Sequence, residues 1–143
     1  MSADRSALRR AIERGERDGG AIEFKERLTR EVHLAEGRME SLVAQLRHRV
    51  LSGDGEATYV LGVTDDGGLA GISPAAFSET MDVLSLLADE ADAHIADAET
   101  WSAGSAGNGS TEGLVGLATL RDGGMFETDD DHLVVWVAES YGE

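Results

Sequence analysis

The stretch EATYVLGVTDDGGLAGISP, residues 56–74, constrains this chain more than any other. Ala57, Tyr59, Val60, Leu61 and Val63 make an apolar run of strand length and β-rich composition, which predicts a buried strand over residues 57–64. Asp65-Asp66-Gly67-Gly68 then supplies hairpin chemistry, because glycine tolerates positive φ. A short strand is expected to return over residues 69–72. Ser73-Pro74 opens a helix, the serine as N-cap and the proline at the first helical position. Phe77, Met81, Leu84, Leu87 and Ala88 mark the apolar face of that helix to about residue 91. A strand, a turn and a capped helix in immediate succession point to a sheet with helices against it.

The flanking segments fill out that scheme. Residues 4–18 read as a helix with Asp4 as cap and a thin stripe of Ala7, Leu8, Ala11 and Ile12, ended by Gly19-Gly20. So little apolar surface describes an arm able to fray. Residues 21–28 alternate as a strand around Ile22 and Phe24. A helix over residues 34–52 follows, with Met39, Leu42, Val43, Leu46 and Val50 on one face and Gly53 as its stop. Residues 93–101 and 113–121 read as two more strands and residues 133–138 as a last one. The expected fold is α+β: a mixed sheet of about five strands with two main helices on one face, in the order β-α-β-β-α-β-β, after an N-terminal helical arm. The expected divisions are an arm at 1–20, an α+β domain at 21–121, and an acidic linker with a short terminal strand at 122–143.

Composition excludes several classes of function. There is no cysteine, hence no disulfide framework and no thiolate metal site. The four histidines are scattered without metal-ligand spacing. No metal or other cofactor is expected. The longest apolar run, residues 133–138, is too short to span a bilayer, and Met1 is followed by polar residues rather than a secretory signal. A cytoplasmic protein without membrane contact is expected.

The net charge is −16, and Lys25 is the sole lysine beside eleven arginines. Acidic excess with lysine depletion suits molar salt, where the Debye length is about 3 Å and carboxylate repulsion is screened, so a halophilic source is expected. Eleven of the twelve basic residues lie in residues 1–51, and nineteen of the twenty-eight acids lie beyond them. That asymmetry suggests contact with nucleic acid or the ribosome; the alternative is that the arginines pair with acids inside the molecule. Arg38, Arg47 and Arg49, off the apolar face of the first long helix, are the candidates for RNA contact.

Two motifs bear on catalysis. Gly104 to Thr111, GSAGNGST, resembles a phosphate-binding P-loop, but Ser110 stands where the lysine belongs. The following residues, EGLVGLATL, read as a strand rather than a helix. With neither lysine nor helix N-terminus, no nucleotide-binding residue is assigned. Glu23-Phe24-Lys25 fits the E-x-K element of some metal-dependent nucleases, with Asp18 as a further acid; Glu23 and Lys25 are thus the catalytic candidates, against a plain reading as a strand with a solvated charged face. Asp65-Asp66 reads as a turn and Asp129 to Asp131 as solvated linker. Among the aromatics, Phe24 and Tyr59 are expected in the core and Trp101 at a loop lip, where it could stack a base.

Taken together, Glu23 to Lys25, Leu42 to Arg49 with Gln45, and Gly55 to Ile72 resemble the N-terminal region of the GTP-binding protein 1 family of elongation-factor-like translational GTPases. The pattern is E-[FY]-K, then L-x-x-Q-[ML]-x-x-R, then G-E-A-x-Y-x-[IL]-G-V-x-D-[DN]-G-x-x-x-G-[IL], over roughly residues 21–135. A weaker resemblance runs to the AlbA-like domain of Schlafen-type proteins. The first resemblance implies a leading domain without a P-loop of its own, hence a non-enzymatic accessory unit whose partners are RNA, the ribosome or a GTPase domain. The second implies an independent nucleic-acid-binding or nuclease domain.

Overall fold

A computed structural model of the chain describes residues 5–17, 20–103 and 113–123. Its elements are α1 (Ser6–Arg14), β1 (Ile22–Lys25), α2 (Arg30–His33), α3 (Arg38–Ser52), β2 (Glu56–Leu61), α4 (Pro74–Glu90), β3 (Ala93–Ser102) and β4 (Leu114–Asp122). The strands form one mixed sheet in the order β1-β2-β4-β3. β1 runs parallel to β2, while β2–β4 and β4–β3 are antiparallel. The fold is α+β, as expected, with four strands among the described residues rather than about five. The candidate strand at 133–138 lies outside them, as do Asp4, Asp18, Asp129 to Asp131 and the whole GSAGNGST segment.

Alternation in β2 divides the interior into two layers. Ala57, Tyr59 and Leu61 face α3 and α4, joining Leu42, Leu46, Val50, Phe77, Leu84 and Leu87 in the larger cluster. Val60, with Phe24, Val63, Trp101 and Val115, faces the other way, and there Leu8 and Ala11 of α1 cover it. The arm is therefore seated on the sheet, its thin stripe sufficient because the surface beneath it is itself apolar. Trp101 is buried in this layer, not at a loop lip. One close approach ties helix to sheet in the larger layer. A Cβ on Gly116 of β4 would lie 2.7 Å from Phe77 Cε2, so the missing side chain makes room for the ring.

Three local expectations change. The return strand at 69–72 reduces to single bridges, Val63 to Leu69 and Ile72 to Leu114. Gly62, at φ 81°, turns the chain out of β2, and both Ala70 N and Gly71 N donate to its carbonyl instead of forming a ladder. β1 ends at Lys25 rather than at Leu28. Buried Leu28 bonds through its backbone N–H and C=O to Thr80 Oγ1 of α4. The first long helix starts at Arg38, not at residue 34. The short α2 before it is capped by Thr29 Oγ1 on Val32 N, and Glu40 Oε1 accepts from Gly37 N at 2.6 Å to open α3. Ser73 caps α4 through Ala76 N, with Pro74 in its first turn, as the sequence predicts.

Candidate functional site

The E-x-K element lies where β1, α3 and the segment after α1 meet. A two-residue step in a strand returns to the same face, so Glu23 and Lys25 point together toward α3. Glu23 is 4% exposed and Arg49 is 8% exposed. Arg49 Nε donates to Glu23 Oε1 at 2.8 Å, and Lys25 Nζ sits 3.4 Å from Glu23 Oε2. Both carboxylate oxygens are thus held by cations. Arg49 Nη1 also donates to the carbonyls of Arg17 at 2.5 Å and Gly20 at 2.8 Å. One guanidinium joins α3, β1 and the segment leading out of α1.

A second carboxylate completes the cluster. Glu16 Oε2 accepts from Phe24 N at 2.7 Å, taking an amide that β2 does not use. Burial raises the Glu16 pKa above its ordinary value, the Phe24 N–H opposes that, and Glu23 beside it raises it again. Tyr59, opposite Glu23 in the β1–β2 register, has its phenol pushed above the usual range, first by burial and then by the Glu23 charge. A metal ion reaching Glu23 would have to displace Arg49 or Lys25. Among the described residues no group of three or more His, Asp or Glu is placed to hold a metal. The arrangement is a charge-neutralised clasp.

The candidate RNA contacts do not share a surface. Arg38 and Arg47 are exposed on α3, Arg47 pairing with Asp92 at 3.2 Å across to the end of α4. Arg49 is a correction to the expectation: it faces inward, and its Nε and Nη1 are spent on Glu23 and the backbone. Leu42, Leu46, Arg49 and Val50 fall at i, i+4, i+7 and i+8, so the apolar stripe itself carries the arginine inward. That spacing is the signal in the sequence, and it runs against the general rule that charged side chains lie outside. Near the start of α3, His33 Nδ1 accepts from Thr29 N at 2.9 Å. Burial lowers the His33 pKa, and the neighbouring Arg38 and Lys25 lower it further. In the turn, Asp66 accepts from Thr64 Oγ1 and Gly68 N, which holds its carboxyl below the usual range and makes it a turn residue, as expected.

Comparison with known proteins gives one kind of match. The chain is 35% identical over 80 residues to GTP-binding protein 2 of Mus musculus and, equally, of Homo sapiens. The aligned part is 56% of this chain and 13% of either relative, so the chain spans about an eighth of their length. No protein-family model matches the chain, and no solved structure does. The chain is GTP-binding-protein-like over that region. Among the described residues no helix is long and apolar enough to cross a membrane.

Proposed function

We propose that the chain is a non-catalytic accessory domain of an elongation-factor-like GTP-binding protein, and that it contacts RNA of the translation machinery. The observation that carries this reading is the 80-residue similarity, which takes up more than half of this chain but only 13% of a GTP-binding protein. A unit of that proportion fits an appendage to a nucleotide-binding engine better than the engine itself. The clasp supports the non-catalytic part. Glu23 is held between Lys25 and Arg49, with burial that serves cohesion rather than turnover.

Two assays test the proposal. Co-sedimentation with ribosomes or ribosomal RNA should give a bound fraction, while labelled GTP should not bind at micromolar concentration. GTP binding abolished by changing Gly109 would overturn the non-catalytic part. RNA degradation that depends on Mg²⁺ and is lost in Lys25→Ala would favour the independent Schlafen-like nuclease instead.

A further inference from the structure

The ion pairs are distributed unevenly over the basic residues. Outside the arm, Lys25, Arg27, Arg30, Arg47, Arg49 and Arg121 are each paired with an acid of the same domain. On α1 the situation reverses. Arg9, Arg10 and Arg14 are exposed, and none makes an ion pair with a described residue. These pairs engage most of the basic residues outside α1, leaving Arg17 and Arg38 exposed without an ion pair among the described residues.

Geometry makes these three arginines a surface. Leu8 and Ala11 turn one side of α1 into the sheet, and the hairpin tip closes over it, Gly67 lying against Ile12. Arg5 ties the helix start down by donating to the Ser102 carbonyl. The outward side then holds Arg9, Arg10 and Arg14 around a single acid, Glu13, with Arg10 and Arg14 one turn apart, about 6 Å along the axis. A seated helix presents its side chains without the ordering cost of a free arm.

We infer that the outer face of α1, through Arg9, Arg10 and Arg14, is the surface that binds the phosphate backbone of RNA. The inference rests on the RNA contact proposed above and moves it from α3 to α1. Arginine forks suit phosphate oxygens, and three unpaired guanidiniums grouped on one helix of a chain of net charge −16 are complementary to a polyanion. A bilayer is the less suitable partner. A helix lying in a membrane interface needs an apolar face to insert, and here Leu8, Ala11 and Ile12 are already committed to the sheet.

The test is fluorescence anisotropy with a labelled single-stranded RNA across a KCl series. The triple variant Arg9→Gln, Arg10→Gln, Arg14→Gln is compared with Arg38→Gln, Arg47→Gln. Three lost phosphate contacts on a single strand predict a slope of log K against log salt that is shallower by about 2, and affinity lower by about 100-fold at 0.1 M. The α3 pair should stay within about fivefold, since Arg47 is held by Asp92 and at most one contact, that of Arg38, is at stake. If the triple variant shifts the urea midpoint, the single substitutions decide, each expected to weaken binding about fivefold. RNA binding that ignores the α1 variants overturns this inference and leaves the proposed RNA contact standing. No RNA binding at any salt overturns both. Binding to phosphatidylserine vesicles in its place, or equal displacement by poly-glutamate, overturns the choice of RNA.

Discussion

Replacing Arg49 with methionine keeps much of the stem volume and removes the guanidinium. Three hydrogen bonds go with it: one to Glu23 Oε1 at 2.8 Å and two to the carbonyls of Arg17 and Gly20 at 2.5 and 2.8 Å. Glu23 remains at 4% exposure, held only by Lys25 at 3.4 Å and beside the carboxylate of Glu16. Removing one partner of a buried pair costs about 3–5 kcal/mol, because the other charge is left without compensation. Small domains have about 5–15 kcal/mol in total, so the loss is a large share. Urea unfolding followed by circular dichroism measures it. The difference should persist in molar KCl, since a buried pair is screened far less than a surface one. Adding Glu23→Gln to Arg49→Met should recover part of the loss, because the orphaned charge disappears. Hydrogen exchange at the Phe24 amide should accelerate, since its acceptor Glu16 lies in the segment that Arg49 anchors. A loss below about 1 kcal/mol, or a double variant less stable than Arg49→Met alone, would refute the claim that this arginine neutralises a buried acid.

Gly116→Ala should destabilise by about 1–3 kcal/mol through overpacking against Phe77, and Phe77→Leu should restore part of it; urea midpoints of the three proteins decide, and an unchanged Gly116→Ala midpoint would mean that the ring moves freely. Glu16→Gln should be more stable than wild type near neutral pH. The Glu16 pKa is raised by burial in the folded state, so its contribution is full below the ordinary value of 4.5 and is lost as pH rises through the folded pKa. The stability difference between variant and wild type should therefore grow with rising pH, and a difference that shrinks would show the sign to be wrong. Thermal unfolding should move upward between 0.1 M and 2 M KCl, given a net charge of −16; a flat or falling Tm would remove the case for a halophilic design.

The elements with strong local chemistry were legible in the sequence. Ser73-Pro74, the period of α4 and the alternation around Tyr59 each specify conformation through neighbouring residues alone. What escaped was decided by distant contacts. Leu8 and Ala11 were visible as a stripe, but the apolar second face of the sheet that receives them is assembled from β1, β2, β3 and β4 together. The strand expected at 69–72 failed because Gly62 diverts the backbone, a choice that its own neighbours do not announce. Arg49 is the sharpest case in the candidate site. Its position on the helical stripe was readable, whereas its acceptors on β1 and on the segment after α1 lie 26 to 32 residues away. The Glu23–Lys25 pairing was one strand step from plain view, but only Arg49 turns it from a nuclease-like motif into a clasp.

The two rims of the sheet behave differently as a solution is concentrated. Among the described residues β1 and β3 are the outer strands, where a second copy could add itself by backbone pairing. On the β1 rim, the Phe24 amide is already occupied by Glu16. The β3 rim is broken by a bulge between Ile95 and Asp97 and carries exposed Asp97 and Glu99. In dilute salt all of these discourage strand-to-strand growth. In concentrated salt the acids lose their reach, and only the occupied amide and the bulge still work. Resistance to fibre formation under those conditions is therefore a matter of shape, and Glu16, through its hold on the Phe24 amide, is one of the residues that keeps crowded copies apart.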